Sequence, residues 1–232
     1  MRVLVVQNFA DTGVGLVGTA LAEAGAQIDL CKPYAGEALP ADAAGHEAMV
    51  VLGGAQNALD DEIYPYFPAL LDLVRDFEAR DRAVLGICLG SQLIARAFGG
   101  ENRIGGANEF GWCEVSLTPA ARNDAVLGAL PERFPIFEWH DDTFDLPKDA
   151  VRLAGNEVAD NQCFRLGRAV YGFQFHFEAD RALVHQWSAA FADVIASRHP
   201  DWHIRLEAET SRSGPAADAA GLAIARAWTT LI

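Results

Sequence analysis

Apolar runs alternate with segments of helical periodicity along the first hundred residues. Compact, largely β-branched runs predict buried strands at residues 2–7, 26–30, 48–52 and 83–87. Between these runs, apolar side chains recur three and four positions apart, as on one face of a helix. The positions are Val17, Leu21 and Ala24, then Ile63, Phe67, Leu70, Leu71, Val74 and Phe77, then Leu93, Ile94, Ala97 and Phe98. Alternating elements of this kind predict an open, mainly parallel sheet with helices on both faces, which binds ligands at the carboxyl ends of its strands.

The pattern changes to short β runs between residue 112 and about residue 175. They predict a small additional, partly antiparallel sheet, with strands at 113–117, 151–154, 163–166 and 169–175. Asp180 is then expected to cap a helix, and Pro215 fits the first turn of a last helix. The apolar faces of these helices comprise Leu183, Val184, Trp187, Phe191, Val194 and Ile195, then Ile224, Trp228 and Leu231. We expect one domain over residues 1–232, with a C-terminal helical extension over about residues 199–232.

Composition narrows the class of protein. Hydrophobic residues make up 51% and charged residues 22% of the chain, which is typical of a globular protein with a sizeable core. The formal net charge of −14 and the lack of a basic stripe argue against nucleic acid as a partner. The first apolar run ends at Gln7, too short for a signal peptide or a membrane span, so we expect a cytoplasmic protein. Its four cysteines, without paired spacing, are expected to stay as thiols.

Residues 86–90, Gly-Ile-Cys-Leu-Gly, lie between a predicted buried strand and a predicted helix. This is the context of a nucleophile elbow, in which a strained turn projects the nucleophile from the edge of the sheet. Cys88 would be the nucleophile, at a helix N-terminus that favours a thiolate. Leu89 N–H would be one oxyanion donor, and Gly54 N–H, in a loop after an earlier strand, the second. Without the elbow, a buried packing cysteine would be the better interpretation.

Residues 171–178 end an apolar strand with a histidine and a glutamate two positions apart. Alternate residues of an extended segment share a face, so Glu178 can orient the imidazole of His176 while its other nitrogen serves Cys88. The alternatives are a strand-end histidine with a solvated glutamate, or a pair of metal ligands. No third ligand recurs at usable spacing nearby, so we expect no metal, and no cofactor is indicated.

Residues 86–93, Gly-Ile-Cys-Leu-Gly-Ser-Gln-Leu, and 172–178, Gly-Phe-Gln-Phe-His-Phe-Glu, together resemble the class I glutamine amidotransferase domain. The resemblance extends from about residue 3 to about residue 187 and implies a flavodoxin-like fold. It implies a triad and an oxyanion loop at the positions named above, and glutamine binding by Gln92. His140 and Asp142 resemble the family's His-x-Asp stretch beside the pocket, and residues 109–112 its Glu-x-Gly turn. Phe177 departs from the family's usual proline.

The resemblance implies cleavage of the side-chain amide of glutamine through a cysteinyl γ-glutamyl thioester. Members of the family deliver the ammonia to an acceptor bound elsewhere, and 232 residues leave no room for a synthase domain. We therefore expect a separate synthase subunit, or no acceptor at all. Two alternatives stay open: a γ-glutamyl-peptide or γ-glutamyl-amine hydrolase with the same triad, and a non-catalytic sensor, against which the complete triad argues.

Overall fold

The computed structural model describes residues 1–232, which form eleven strands and six α-helices. The strands are β1 (Arg2–Val6), β2 (Gln27–Cys31), β3 (Ala48–Val51), β4 (Ala83–Ile87), β5 (Asn102–Arg103), β6 (Glu109–Leu117), β7 (Arg133–His140), β8 (Thr143–Phe144), β9 (Val151–Gly155), β10 (Cys163–Leu166) and β11 (Val170–Phe173). The α-helices are α1 (Gly15–Glu23), α2 (Phe67–Ala79), α3 (Leu89–Ala97), α4 (Arg181–Ala190), α5 (Ala192–Arg198) and α6 (Trp202–Thr229).

One nine-stranded sheet runs through the molecule in the order β2-β1-β3-β4-β11-β10-β9-β6-β7. The strands from β2 to β11 are mutually parallel, and the remaining four continue the sheet in antiparallel pairings. A separate two-stranded antiparallel sheet consists of β5 and β8. The predicted open sheet with its parallel centre and small additional sheet is confirmed, although most of the antiparallel strands extend the main sheet.

Buried side chains form two apolar clusters, one on each face of the sheet. Successive residues of a strand point to opposite faces, so Val3 and Val5 enter one cluster while Leu4 and Val6 enter the other. Helices α1, α4 and α6 contribute to the first cluster, and α2 and α3 to the second. Helices on both sides explain why the central strands are apolar throughout.

The C-terminal helices differ from the prediction in two places. The single helix expected after Asp180 is two helices, α4 and α5, because the backbone of Phe191 leaves helical geometry at φ −110° and ψ 25°. The cap itself is confirmed, since the Asp180 carboxylate accepts a hydrogen bond of 2.8 Å from Leu183 N–H.

The prediction for Pro215 is wrong: this residue lies inside the 28-residue α6, where a missing N–H costs about 3 kcal/mol. Burial of an apolar face offsets that cost, through Ala217, Ala220, Ile224, Ala225 and Trp228.

Ile63 also lies outside the helix expected for it, because α2 begins at Phe67 and leaves the Ile63 side chain exposed. None of the helices combines the length with the apolar character that crossing a bilayer would require.

Candidate active site

Cys88 lies at the turn between β4 and α3, at the carboxyl edge of the parallel strands. Its backbone adopts φ 51° and ψ −111°, a conformation that a non-glycine residue rarely occupies, and its N–H donates a 2.7 Å hydrogen bond to Phe173 O. A Cβ on Gly90 would collide with the carbonyl oxygen of Val51, and one on Gly86 would collide with Gly90. The flanking glycines are therefore required for the close strand–helix approach, as in a nucleophile elbow.

His176 and Glu178 form a buried hydrogen-bonded pair next to this turn. The Nδ1–Oε1 distance is 2.7 Å. A Cβ on Gly53 would lie 3.2 Å from His176 Cε1 and 3.5 Å from Cys88 Cβ, so the imidazole and the thiol flank the same glycine. Burial by itself lowers the pKa of His176, but the negative charges of Glu178 and Cys88 outweigh it and place that pKa well above its usual value. A protonated imidazole therefore lies beside the Cys88 side chain.

The pair follows β11 in a turn and not in the extended strand expected from its alternation. His176 N–H donates to Phe137 O at 2.8 Å, and Leu16 N–H donates to Glu178 O at 2.9 Å. Gly221 of α6 packs so closely on the carbonyl of Phe177 that any side chain there would collide. The Phe177 ring, which departs from the family pattern, is fully buried 4.7 Å from the ring of Phe173. The turn is therefore fixed by α1 and α6 as well as by the sheet.

The loop after β3 presents Gly54 beside the start of α3. A Cβ on Gly54 would collide with the Gln56 amide oxygen and lie 3.1 Å from a methyl carbon of Leu89. Asn8 braces this loop by donating a 2.7 Å hydrogen bond to Leu52 O, while Gln56 donates to Asn8 O. The Gly54 N–H makes no hydrogen bond within the protein. The sequence did not single out Asn8 or Gln56, because neither belongs to a recognisable motif.

A cavity of about 340 Å³ opens over Cys88. One side is an aromatic wall, which we define as Phe9, Trp139, Trp187 and Phe191. Val194 and the ion pair between Arg198 and Asp141 (2.6 Å) lie among the same lining residues. The other lining residues include Thr12, Gly54, Ala55, Gln56, Leu89, Gln92, His140, Asp142 and His176.

The three predicted substrate-binding residues all line the cavity, but their polar atoms are partly engaged by the protein. Gln92 donates a 3.1 Å hydrogen bond to the side chain of Gln174. Asp142 accepts a 2.8 Å hydrogen bond from Gly105 N–H. His140 directs one ring nitrogen to the carbonyl of Asp142 at 2.9 Å. A role in binding substrate stays a prediction for these residues.

The other ring nitrogen of His140 faces two buried carboxylates. Its Nε2 lies 3.2 Å from Glu109 Oε2 and 3.3 Å from Glu138 Oε2, and these three atoms lie close enough together to share one cation. Since the carbonyl of Asp142 can only accept, Nδ1 carries a proton, and Nε2 needs one too if it is to face two negative groups. Burial lowers the pKa of His140, but the neighbouring carboxylates of Glu109 and Glu138 raise it to about 10. An imidazolium therefore supplies the positive charge.

Sequence patterns did not reveal this cluster, because Glu109 lies on β6 and the other two residues on β7. Register pairs Glu109 with His140 across the two strands. Residues 109–112, expected from the resemblance to form a turn, belong to β6, and only Gly111 departs from strand geometry, at φ 104°. Glu109 is held by amide donors from Asn156 and Gln162, both at 2.6 Å. The carboxylate of Glu138 has no hydrogen-bond donor of good geometry.

Replacing Glu138 by glutamine is expected to make the protein more stable relative to wild type as the pH rises from about 4.5 to about 7. Burial raises the pKa of Glu138 from 4.5 to about 7, so the folded state holds this proton more tightly than the unfolded state does. The stability linked to that proton is lost as the pH passes through this window, and glutamine has no proton to lose. Thermal denaturation should show a relative shift of several degrees, since about 1 kcal/mol corresponds to roughly 2–4 °C in a chain of this size.

The control is Glu114→Gln, which removes an exposed carboxylate of the same sheet extension that pairs with Arg133. Its difference from wild type should vary little over the same window. Equal pH trends for the two variants would contradict the raised pKa of Glu138.

The chain is similar to known proteins along most of its length. A family model described as glutamine amidotransferase class-I matches residues 5–185. The glutamine amidotransferase-like protein YfeJ of Salmonella typhimurium (strain LT2) is 33% identical over 181 residues, which cover 75% of this chain and 76% of that protein. A glutamine-hydrolyzing GMP synthase subunit of Thermoplasma acidophilum is 30% identical over 138 residues, which cover 59% of this chain and 65% of that protein.

Among solved structures, a glutamine amidotransferase of Thermotoga maritima superposes with a TM-score of 0.88 at 26% identity. The match covers 100% of this chain and 97% of that one. A glutamine amidotransferase of Methylobacillus flagellatus gives a TM-score of 0.85 at 27% identity, covering 100% and 95% of the two chains. From the family match over most of the chain and the fold shared along its whole length, we conclude that the protein belongs to the class I glutamine amidotransferase family.

Proposed function

We propose that the protein is a cysteine-dependent hydrolase that cleaves the side-chain amide of glutamine. The observation that carries the proposal is the position of Cys88 on a strained elbow, next to a buried His176–Glu178 pair and under an open cavity. Nucleophile, base and orienting carboxylate are the three groups that acyl transfer through a thioester requires. A packing cysteine needs neither the strained backbone nor the cation beside it.

The reaction follows from these groups in two halves. The Cys88 thiolate attacks the amide carbon, and the N–H groups of Gly54 and Leu89 hold the oxyanion. His176 gives its proton to the leaving nitrogen, the C–N bond breaks, and a γ-glutamyl thioester remains. A water molecule then gives a proton to His176 and attacks the thioester, which releases glutamate and restores the thiolate–imidazolium pair. Glu178 keeps the imidazole oriented and stabilises its charge throughout.

We place the glutamine side chain between Gln92 and the Gly54 loop, with His140 and Asp142 near its amino-acid end. The ammonia would pass to an acceptor on a separate synthase subunit. The relatives named as subunits of glutamine-hydrolyzing GMP synthase support the pairing of such a chain with a synthase. The second candidate is a γ-glutamyl-amine or γ-glutamyl-peptide hydrolase with the same triad. The aromatic wall favours it, because ammonia as a leaving group would make no apolar contact with these rings.

A chloroketone analogue of glutamine is expected to alkylate Cys88 alone among the four cysteines. Burial raises the pKa of each of the others, to about 12 for Cys113 and well above its usual value for Cys163, whereas Cys88 lies beside a cationic imidazole. Peptide mass spectrometry should find one adduct, and excess glutamine should slow its formation. An adduct on Cys31, Cys113 or Cys163 that forms as fast as the one on Cys88 would contradict the assignment.

A further inference from the structure

The aromatic wall is continuous from the base of the cavity outward. The rings of Trp139 and Trp187 are 6.1 Å apart, those of Trp139 and Phe191 5.4 Å, and those of Phe9 and Phe191 6.0 Å. Neighbouring rings at these distances pack as one apolar surface. Phe9, Trp139 and Phe191 are all partly exposed, so this surface is open to a ligand.

The wall begins at the residue proposed to protonate the leaving group. Trp187 packs edge-on against His176, with 5.1 Å between ring centroids and an interplanar angle of 78°. The backbone of the wall also reaches the nucleophile, since Cys88 Sγ lies 3.7 Å from the carbonyl oxygen of Trp139. A substituent on the nitrogen that receives the His176 proton would therefore meet the wall, whereas free ammonia has no atoms to bury there.

Two of the wall's residues come from outside the family match, which ends at residue 185. Trp187 lies on α4, and Phe191 lies at the break between α4 and α5, which turns its ring toward Trp139. Val194 on α5 extends the apolar lining. Helix α4 begins inside the family match, so Trp187, Phe191 and Val194 extend the cavity lining just beyond the matched residues.

The wall favours an uncharged ligand group. Its four side chains carry no charge, and the one arginine that lines the cavity, Arg198, is neutralised by Asp141 at 2.6 Å. An arginine engaged in this way is a poor partner for a carboxylate on the ligand. The cavity volume of about 340 Å³ lies within the range of roughly 300–1,000 Å³ that small-molecule sites occupy.

We propose that the substrate is a γ-glutamyl amide of an aromatic or large apolar amine, and that the aromatic wall binds the amine part. This inference rests on the proposed hydrolysis through Cys88, and it favours the second candidate, the γ-glutamyl-amine hydrolase, over cleavage of glutamine itself. Cys88 forms a bond to the γ-carbonyl carbon, the C–N bond breaks, and the amine leaves with the proton from His176. Water then cleaves the thioester, so the products are glutamate and the free amine, and no other co-reactant is needed.

The test compares the full-length protein on γ-glutamyl-benzylamide and γ-glutamyl-(2-hydroxyethyl)amide, with glutamine as a third substrate. The two amines have similar basicity, so the chemical step itself does not separate the amides. Wild type is expected to favour the benzylamide by roughly 10- to 100-fold in kcat/KM, the range that burial of an aromatic ring provides. Equal values, or a preference for the hydroxyethylamide or for glutamine, would overturn the inference while leaving Cys88 hydrolysis intact. Turnover of none of the three would overturn the proposed function as well.

Two variants test whether the aromatic wall causes the preference for the benzylamide. Phe191→Ala removes a ring of the wall, and Val194→Asp places a charge at a half-exposed position where it does not endanger folding. Each should lower the ratio of benzylamide to hydroxyethylamide kcat/KM by about tenfold. Ile204→Ala, at an exposed position of α6 outside the cavity, is the matched control and should keep the wild-type ratio. An unchanged ratio in both wall variants would show that the amine binds elsewhere and would overturn the inference.

Discussion

Replacing Cys88 by alanine is expected to abolish amide hydrolysis, with a loss on the order of 10⁶-fold, as when the nucleophile of a catalytic triad is removed. Alanine has no atom that can bond to the γ-carbonyl carbon, and no other cysteine lines the cavity. The backbone at this position already adopts φ 51°, which alanine tolerates as well as cysteine does. The fold should therefore persist, and the loss should appear in kcat. Steady-state release of glutamate is the measurement.

Cys31→Ala is the control for the loss of a buried thiol, since Cys31 ends β2 away from the cavity. It should retain wild-type turnover. Near-wild-type glutamate release by Cys88→Ala would exclude the thioester route. Intact-mass measurement should also show that the electrophile that labels wild type no longer modifies Cys88→Ala.

The elbow could be predicted from the sequence because its determinants are contiguous. Gly86 and Gly90 lie on either side of Cys88, and at each of them neighbouring backbone atoms lie too close for a side chain. At Gly90 the obstructing atom is the carbonyl oxygen of Val51. The parallel centre of the sheet could also be predicted from the sequence, because strands covered on both faces are apolar throughout. The pairing of His176 with Glu178 was predicted from their spacing of two and from the family resemblance. Their contact is made in a turn fixed by α1 and α6, which no local pattern encodes.

The aromatic wall and the His140 cluster could not be predicted in the same way. Phe9 precedes α1, Trp139 is on β7 and Phe191 follows α4, so their contact depends on how distant elements pack. In the sequence, Phe191 continues the apolar face of a helix, and only the structure shows the chain breaking there. Glu109 and Glu138 lie outside the predicted β runs, and a glutamate is rarely buried. They are buried because β6 pairs antiparallel with β7 and because α6 packs against both strands.

Replacing His176 by alanine is expected to cost nearly as much as replacing Cys88, and the double variant is expected to be no slower than Cys88→Ala alone. Without the imidazole, no group within reach can hold the thiolate and protonate the leaving nitrogen, and Glu178 is left as a buried carboxylate without its partner. Because nucleophile and base act as one unit, the loss of either removes the same transition-state stabilisation, and the two losses do not add. Glutamate release from one γ-glutamyl substrate by the three variants measures this directly.

The control is His185→Ala, which removes a half-exposed histidine of α4 and should match wild type. If the double variant were slower than Cys88→Ala by the full cost of His176→Ala, the two residues would act independently. The base would then have to be sought elsewhere in the cavity, with His140 the next imidazole along its lining.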